Sequence, residues 1–183
     1  DPRPAGAPWI QSPIVDTPAP GRKRRPLPLA LLAGMRPRQW SKNAFVFAAL
    51  LLTQQLDRPG QLAATAATFA VFCAISSAVY LLNDLADIRS DRSHPEKRWR
   101  PLASGELGVG VARLAAIGLA AAGIVGAVLL VLTRPCGAGA GFADGRECTS
   151  PLLLVAVVGY LGLQLAYTFA LKHVVIVEVL AIA

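Results

Sequence analysis

The chain has 183 residues, of which 54% are hydrophobic and only 16% are charged, and its formal net charge is +7. A soluble domain usually carries charge on about a quarter of its residues, and the positive mean hydropathy of +0.50 departs from that class in the same direction. The apolar residues also gather in runs of about 20, the length that an α-helix needs to cross a bilayer. The composition therefore excludes an ordinary soluble domain and predicts an all-α, multi-pass membrane protein.

Residues 1–35 are predicted to form a disordered cytoplasmic tail. Residues 1–28 contain eight prolines, and residues 22–25 read RKRR. Such a composition cannot bury enough apolar surface to form a core. The basic run is typical of a topology determinant that contacts anionic lipid headgroups. No folded basic surface accompanies it, so a nucleic-acid partner is not expected.

Four complete spans and one partial span are predicted in a transmembrane domain that covers residues 36–183. They lie at about residues 38–54, 61–83, 109–133, 151–171 and 174–183. The last run has ten residues, and at about 1.5 Å per residue it cannot cross a hydrocarbon layer of about 30 Å. We therefore expect the chain to be the N-terminal part of a longer membrane protein, truncated at its C-terminus.

Basic residues are concentrated in alternate connections. Eight lie in residues 1–42, up to the polar start of the first span, and five lie in the 84–108 loop, whereas the 54–60 turn has only Arg58. Positive charges are retained on the cytoplasmic side of a membrane, so the N-terminus and the 84–108 loop are predicted to be cytoplasmic. Cys136 and Cys148 then belong to an outer loop, where a disulfide and two unpaired thiols both remain open.

The 84–108 loop begins with acids at helical spacing. Asp84, Asp87 and Asp91 are related as i, i+3 and i+7 and so share one helix face, with Asn83 one turn before Asp87. Carboxylates stacked in this way repel each other, and a divalent cation relieves the repulsion. Oxygen-only ligands favour Mg²⁺ held jointly by carboxylates and the phosphates of a substrate. Asp84, Asp87 and Asp91 are therefore the predicted catalytic and metal-binding residues.

The bases that follow suit the same kind of substrate. Lys97 and Arg100 offer donors for phosphate oxygens, and Pro95 and Pro101 break a helix, which predicts a loop that folds back over the acids. The alternative is a solvated loop whose acids and bases pair only with each other. A position at the membrane edge favours the functional interpretation, because ionisable groups there are costly. His94 is predicted to shape the loop rather than to bind metal.

The segment NDLADIRSDRSHPEKRWRPLASGEL, residues 83–107, resembles the first aspartate-rich signature of the UbiA-type intramembrane prenyltransferase superfamily. That signature reads N-D-x-x-D-x-x-x-D followed by H-P-x-K-x-x-R-P-L, and every fixed position is matched. The stretch MRPRQWSKNAFVFAALL resembles the opening of the branch that acts on polyprenyl phosphate and phosphoribosyl pyrophosphate. AYTFALKHVVIVEVLAIA is similar to the junction of the family's fourth and fifth spans. The resemblance covers residues 36–183.

The resemblance implies a nine-helix bundle, of which this chain forms the first part, with a cavity open to the cytoplasm and the lipid. It implies that Asp84, Asp87 and Asp91 bind Mg²⁺ with support from Asn83, and that Lys97 and Arg100 bind diphosphate. Further candidates for contact with the lipid phosphate, the donor or the cavity are Arg36, Lys42, Lys172 and Tyr167.

The implied reaction is the Mg²⁺-dependent transfer of 5-phosphoribosyl from phosphoribosyl pyrophosphate to decaprenyl or another polyprenyl phosphate in the plasma membrane. Pyrophosphate is released, and the product serves the synthesis of cell-wall arabinan. The alternatives are prenyl transfer to an aromatic acceptor, a non-catalytic membrane subunit, and a transporter gated by the loop. Transport is disfavoured because the charges cluster at one membrane face. The family's second aspartate-rich motif is not in this chain, so the chain alone is expected to be inactive; a homo-oligomer is left open.

Overall fold

The computed structural model describes residues 25–52, 54, 56–134 and 149–169, and every regular element in these ranges is a helix. The predictions for residues 1–24, for Cys136 and Cys148, for Lys172 and for the partial span 174–183 lie outside the described residues.

The first element, α1 (Leu27–Met35), shows that the end of the predicted disordered tail is helical. Pro28 lies in its first turn, where proline is accepted because the first N–H groups of a helix have no intrahelical partner. Ala30 is fully buried, and a Cβ atom on Gly34 would lie 2.9 Å from Leu81 Cδ2. One side of α1, with Ala30 and Gly34, is thus packed against the bundle, whereas Leu27, Leu29 and Leu32 are exposed.

Residues 38–54 differ from the single span predicted for them. A 3₁₀ helix, Pro37–Phe45, is followed directly by α2 (Val46–Leu52). The indole Nε1 of Trp40 donates to Ser77 Oγ at 3.0 Å, and Asn43 Nδ2 donates to Ser76 Oγ at 3.2 Å. Hydropathy counts take no account of such side-chain hydrogen bonds. They fix the polar side of the 3₁₀ helix against the protein, and α2 alone, with seven residues, is too short to span a bilayer.

The remaining helices follow in order: α3 (Pro59–Ala86), α4 (Ile88–Ser93), a second 3₁₀ helix (Lys97–Trp99), α5 (Val109–Thr133) and α6 (Leu152–Phe169). The predicted span 61–83 lies within α3, and α5 has the bounds predicted for 109–133. The described part of the span predicted at 151–171 is α6. Among the described residues, α3 and α5 are the two helices long and apolar enough to cross a membrane.

The two long helices, α3 and α5, pack closely in antiparallel directions. A Cβ atom on Gly123 of α5 would lie 2.5 Å from Ile75 Cδ1 of α3, and one on Gly126 would lie 3.1 Å from Val71 Cγ2. Small residues allow two helices to approach each other in this way. Ile75 and Val71 also belong to a buried cluster that is completed from α5 and α6 by Ala127 and Val157.

A second buried cluster fixes the loop between α4 and α5. Leu102 and Leu107 of the loop are 2% and 1% exposed and pack with Leu81 of α3. Ala30 of α1 and Ala112 and Ala116 of α5 complete this cluster. Because both leucines are buried, the loop is held at the end of the bundle where α3 finishes. That anchoring brings the basic segment next to the acids.

Candidate functional site

The site lies where α3 passes into α4. Asp87 forms the junction: its N–H donates to the carbonyl of Asn83 at 2.9 Å, and its own carbonyl accepts from the N–H of Asp91 at 2.8 Å. The backbone therefore stays nearly helical across the break, and Asp84 and Asp91 remain close together. Their side chains are only 2% and 3% exposed. Buried carboxylates of this kind require charged or hydrogen-bonding partners.

Two arginines supply those partners. Arg36 Nη2 lies 2.6 Å from Asp84 Oδ1, and Arg100 Nη1 lies 3.2 Å from the same oxygen. Arg100 Nη1 also lies 2.8 Å from Asp91 Oδ2, so one guanidinium bridges both acids. The four side chains form a cluster with two negative and two positive charges; we call Asp84, Asp91, Arg36 and Arg100 the charge cluster. Its arginines are 28% and 26% exposed, so the positive groups form its accessible side.

Arg36 reaches the cluster from a constrained position between α1 and the first 3₁₀ helix. Its φ and ψ are 54° and 62°, the left-handed conformation that is uncommon for residues other than glycine. Its guanidinium carbon lies 5.0 Å from the centre of the Tyr80 ring, a cation–π distance. The bond from Trp40 to Ser77 anchors the following turn to α3. These contacts hold the side chain over the last turns of α3.

Arg100 is positioned by the fold of its own loop. The Nδ1 atom of His94 accepts hydrogen bonds from the N–H groups of Glu96 and Lys97, both at 3.2 Å. The Nε group of Arg92 donates to the carbonyl of Ala103 at 3.2 Å. These bonds turn the chain back towards α3, as the two prolines predict. The contacts of His94 are those of a loop-shaping residue.

The other predicted site residues are not members of the charge cluster as defined above, and one of them lies outside the described chain. Asn83 and Asp87 are half-buried at the helix junction, whereas Lys42 and Lys97 are exposed. Tyr167 is half-buried on α6. Lys172 is not among the described residues.

The predicted metal ligands are only partly brought together. Within residues 25–134 and 149–169, apart from the undescribed positions 53 and 55, no group of three His, Cys, Asp or Glu side chains could hold a metal ion. Asp84 and Asp91 nevertheless share one cation, the guanidinium of Arg100. Two carboxylates around one positive group match the donor chemistry of a Mg²⁺ site. Asp87 is not part of this pair.

Two features of the site were not predicted. The ring of Tyr80 contacts the guanidinium of Arg36 at 5.0 Å. Arg25, the last base of the RKRR run, pairs with Glu106 at 2.8 Å. Nothing in the local sequence indicates either contact, because the partners are far apart along the chain.

Comparison with known proteins identifies the family. A model of the UbiA prenyltransferase family matches residues 43–183, well over half of the chain. The chain belongs to the UbiA prenyltransferase family. The helical structure and its two long apolar helices fit a membrane protein of this family. Three members of the charge cluster, Asp84, Asp91 and Arg100, lie within the matched residues.

Similar proteins of known name are longer than this UbiA-family chain. The decaprenyl-phosphate phosphoribosyltransferase of Mycobacterium tuberculosis is 36% identical over 164 residues, which are 85% of this chain and 48% of that protein. The enzyme of the same name from Corynebacterium glutamicum is 35% identical over 86% of this chain and 44% of its own length. The nodulation protein NoeC of Azorhizobium caulinodans is 42% identical over 76 residues, 39% of this chain. The UbiA-family chain thus spans about half the length of the phosphoribosyltransferases.

Proposed function

We propose that this chain is part of an enzyme that transfers 5-phosphoribosyl from phosphoribosyl pyrophosphate to a polyprenyl phosphate, releasing pyrophosphate. Decaprenyl phosphate is the proposed acceptor, and the proposed role is the supply of a cell-wall arabinan precursor. The observation that carries the proposal is the charge cluster, in which two partly exposed guanidinium groups converge on buried acids at the end of a long apolar helix. The relatives named decaprenyl-phosphate phosphoribosyltransferase support the choice of substrates.

In the proposed reaction an oxygen of the lipid phosphate attacks the anomeric carbon of the ribose. The bond from that carbon to the pyrophosphate oxygen breaks, and its electron pair leaves with the pyrophosphate. Arg100 and Lys97 bind the departing pyrophosphate, since a guanidinium and an ammonium both suit phosphate oxygens. Arg36, Lys42 and Lys172 are the proposed contacts for the lipid phosphate or the donor's terminal phosphate. Electrostatic groups held in place before the reaction stabilise charge that develops in the transition state.

Asp84 and Asp91, with Asp87 at the helix junction, are the proposed ligands of Mg²⁺. The bound cation would neutralise charge on the pyrophosphate leaving group. Without a bound cation, the carboxylates fix the orientation of the two arginines: Asp84 accepts from both, and Asp91 accepts from Arg100.

We also propose a multi-pass location in the plasma membrane, with the N-terminus and the 84–108 loop in the cytoplasm. The excess of basic residues before α2 and in this loop supports that orientation. Phosphoribosyl pyrophosphate is a water-soluble, highly charged donor, and a cytoplasmic opening gives it access to the site. The lipid acceptor reaches the same end of α3 from the bilayer.

The test uses membranes that contain the product of the complete open reading frame. They are expected to consume phosphoribosyl pyrophosphate only when polyprenyl phosphate and Mg²⁺ are both present. Transfer of prenyl from a prenyl diphosphate to an aromatic acceptor would replace this proposal with the second activity that the family name suggests. A reading frame that lacks a second aspartate-rich motif would favour a non-catalytic membrane subunit.

A further inference from the structure

In the charge cluster, one carboxylate oxygen accepts hydrogen bonds from two arginines. Asp84 Oδ1 accepts from Arg36 at 2.6 Å and from Arg100 at 3.2 Å, while Asp91 Oδ2 accepts from Arg100 at 2.8 Å. A divalent cation that coordinated both carboxylates would use the same oxygens. It would also stand within a few ångströms of two guanidinium groups and repel them. Cation and arginines therefore compete for this site.

The backbone of Arg36 is held in place, whereas its guanidinium can contact more than one partner. Its backbone is in the left-handed conformation, which persists in a residue with a side chain only when the surroundings enforce it. The capping bond from its N–H to Ala33 and the anchoring of Trp40 on Ser77 supply that enforcement. The backbone is thus fixed, whereas the guanidinium is 28% exposed. It can leave Asp84 without any movement of α1.

The ring of Tyr80 is a second contact for the guanidinium of Arg36. The Arg36 guanidinium carbon lies 5.0 Å from the ring centre while one of its nitrogens contacts Asp84. A cation–π contact leaves the N–H donors of an arginine available to other acceptors. Loss of the carboxylate contact therefore leaves Arg36 supported and turns its free donors towards an incoming anion.

We propose that Arg36 and Arg100 are the resident counter-ions of Asp84 and Asp91, and that they exchange the carboxylates for diphosphate oxygens when a divalent cation binds the acids. The inference rests on the proposed function, since it assumes a cation and a diphosphate at this site. Cation and anion binding are then coupled, because the cation releases the arginines that hold the anion. Such coupling is reciprocal: the anion must strengthen cation binding by the same factor.

Loss of Arg36 should change the affinity for a divalent cation in opposite directions under the exchange and under a purely structural ion pair. In Arg36→Gln, one competitor for Asp84 is removed, so a divalent cation binds more tightly in the absence of any anion. The anion at the same time loses the Arg36 guanidinium as a binding partner, so the coupling between cation binding and anion binding weakens. If the ion pair were purely structural, the cation would instead bind more weakly to Arg36→Gln, because loss of the arginine would disorder the acids.

The experiment measures Mn²⁺ binding by electron paramagnetic resonance to the product of the complete reading frame in lipid nanodiscs. Inorganic pyrophosphate is the second probe. In the wild type we expect pyrophosphate to tighten Mn²⁺ binding by at least about fivefold, the lower end of typical coupling between sites. In Arg36→Gln we expect tighter binding of Mn²⁺ alone and a smaller effect of pyrophosphate. Arg38→Gln, a change at an exposed neighbour, is expected to alter neither quantity.

A second variant keeps the test decisive if Arg36→Gln does not fold. Arg36→Lys retains the charge but loses the planar fork, so Mn²⁺ alone should bind as in the wild type while the pyrophosphate effect falls. Weaker or unchanged Mn²⁺ binding in a folded Arg36→Gln protein would overturn the exchange, as would a wild type that binds no Mn²⁺. If the exchange is observed but phosphoribosyl transfer is not, the proposed reaction fails and the exchange stands.

Discussion

Replacement of Arg100 by methionine tests whether the charge cluster holds the loop in place. Methionine keeps much of the apolar stem but removes the guanidinium that lies 2.8 Å from Asp91 and 3.2 Å from Asp84. Asp84 retains Arg36, whereas Asp91, only 3% exposed, has no other ion-pair partner among the described residues. Removing one member of a buried pair destabilises a protein by about 3–5 kcal/mol, because the other charge is left uncompensated. We expect Arg100→Met to lower the free energy of unfolding by an amount in this range.

The assay is reversible unfolding in mixed micelles, followed by circular dichroism, with Arg98→Met as the matched control. Arg98 lies in the same loop, but it is exposed and contacts the Trp99 ring at 4.8 Å. Its loss should lower stability by no more than about 1 kcal/mol, the value of an exposed cation–π contact. Adding Asp91→Asn to Arg100→Met should recover about 1–3 kcal/mol, since the unpaired charge is then removed. An Arg100→Met protein as stable as the control, or a double variant less stable than Arg100→Met, would refute this reasoning.

Two further changes test how α5 and the first 3₁₀ helix are attached to α3. Gly123→Ala should destabilise the protein by about 1–3 kcal/mol in the same unfolding assay, because the new Cβ would lie 2.5 Å from Ile75 Cδ1. Gly118→Ala, where a Cβ meets no neighbour within 4 Å, should be neutral or stabilising. Equal losses of stability at both glycines would contradict the close helix packing. Trp40→Phe removes the hydrogen bond to Ser77 and should reduce stability by about 0.5–1.5 kcal/mol. In the folded product of the complete reading frame it should also lower transferase activity, and full activity there would show that anchoring of this helix does not position the site.

The long helices could be predicted because their signal is local. The bounds of α5 coincide with an apolar run that begins after Gly108 and ends before Arg134. The helix α1 could not be predicted from apolar runs, since prolines and bases dominate the composition of residues 1–35. Its stability comes instead from contacts of Ala30 and Gly34 with residues far along the chain. Residues 38–54 were misjudged for a similar reason, because their hydrogen bonds to α3 depend on tertiary structure.

In the candidate site, too, the local sequence indicates some contacts, and others depend on tertiary structure. The proximity of Asp84 and Asp91 follows from helical spacing, and the return of Arg100 follows from the prolines around the loop. The pairing of Arg36 with Asp84 joins residues 48 positions apart, so no local pattern indicates it. Spacing alone also placed Asp87 with the other two acids, but Asp87 lies at the junction where α3 ends. Helical spacing therefore indicates the pair of Asp84 and Asp91, which both contact Arg100.

The most direct test of the account is the rate of phosphoribosyl transfer by Asp84→Asn in the product of the complete reading frame. The substitution keeps the shape of the side chain but removes the charge that holds Arg36 and Arg100 and that is proposed to bind Mg²⁺. We expect turnover per folded protein to fall by at least about a hundredfold, as when one preorganised electrostatic group is removed from an active site. Asp57→Asn, at an exposed turn residue, should retain wild-type turnover. Full activity in folded Asp84→Asn protein would contradict the proposed role of the charge cluster.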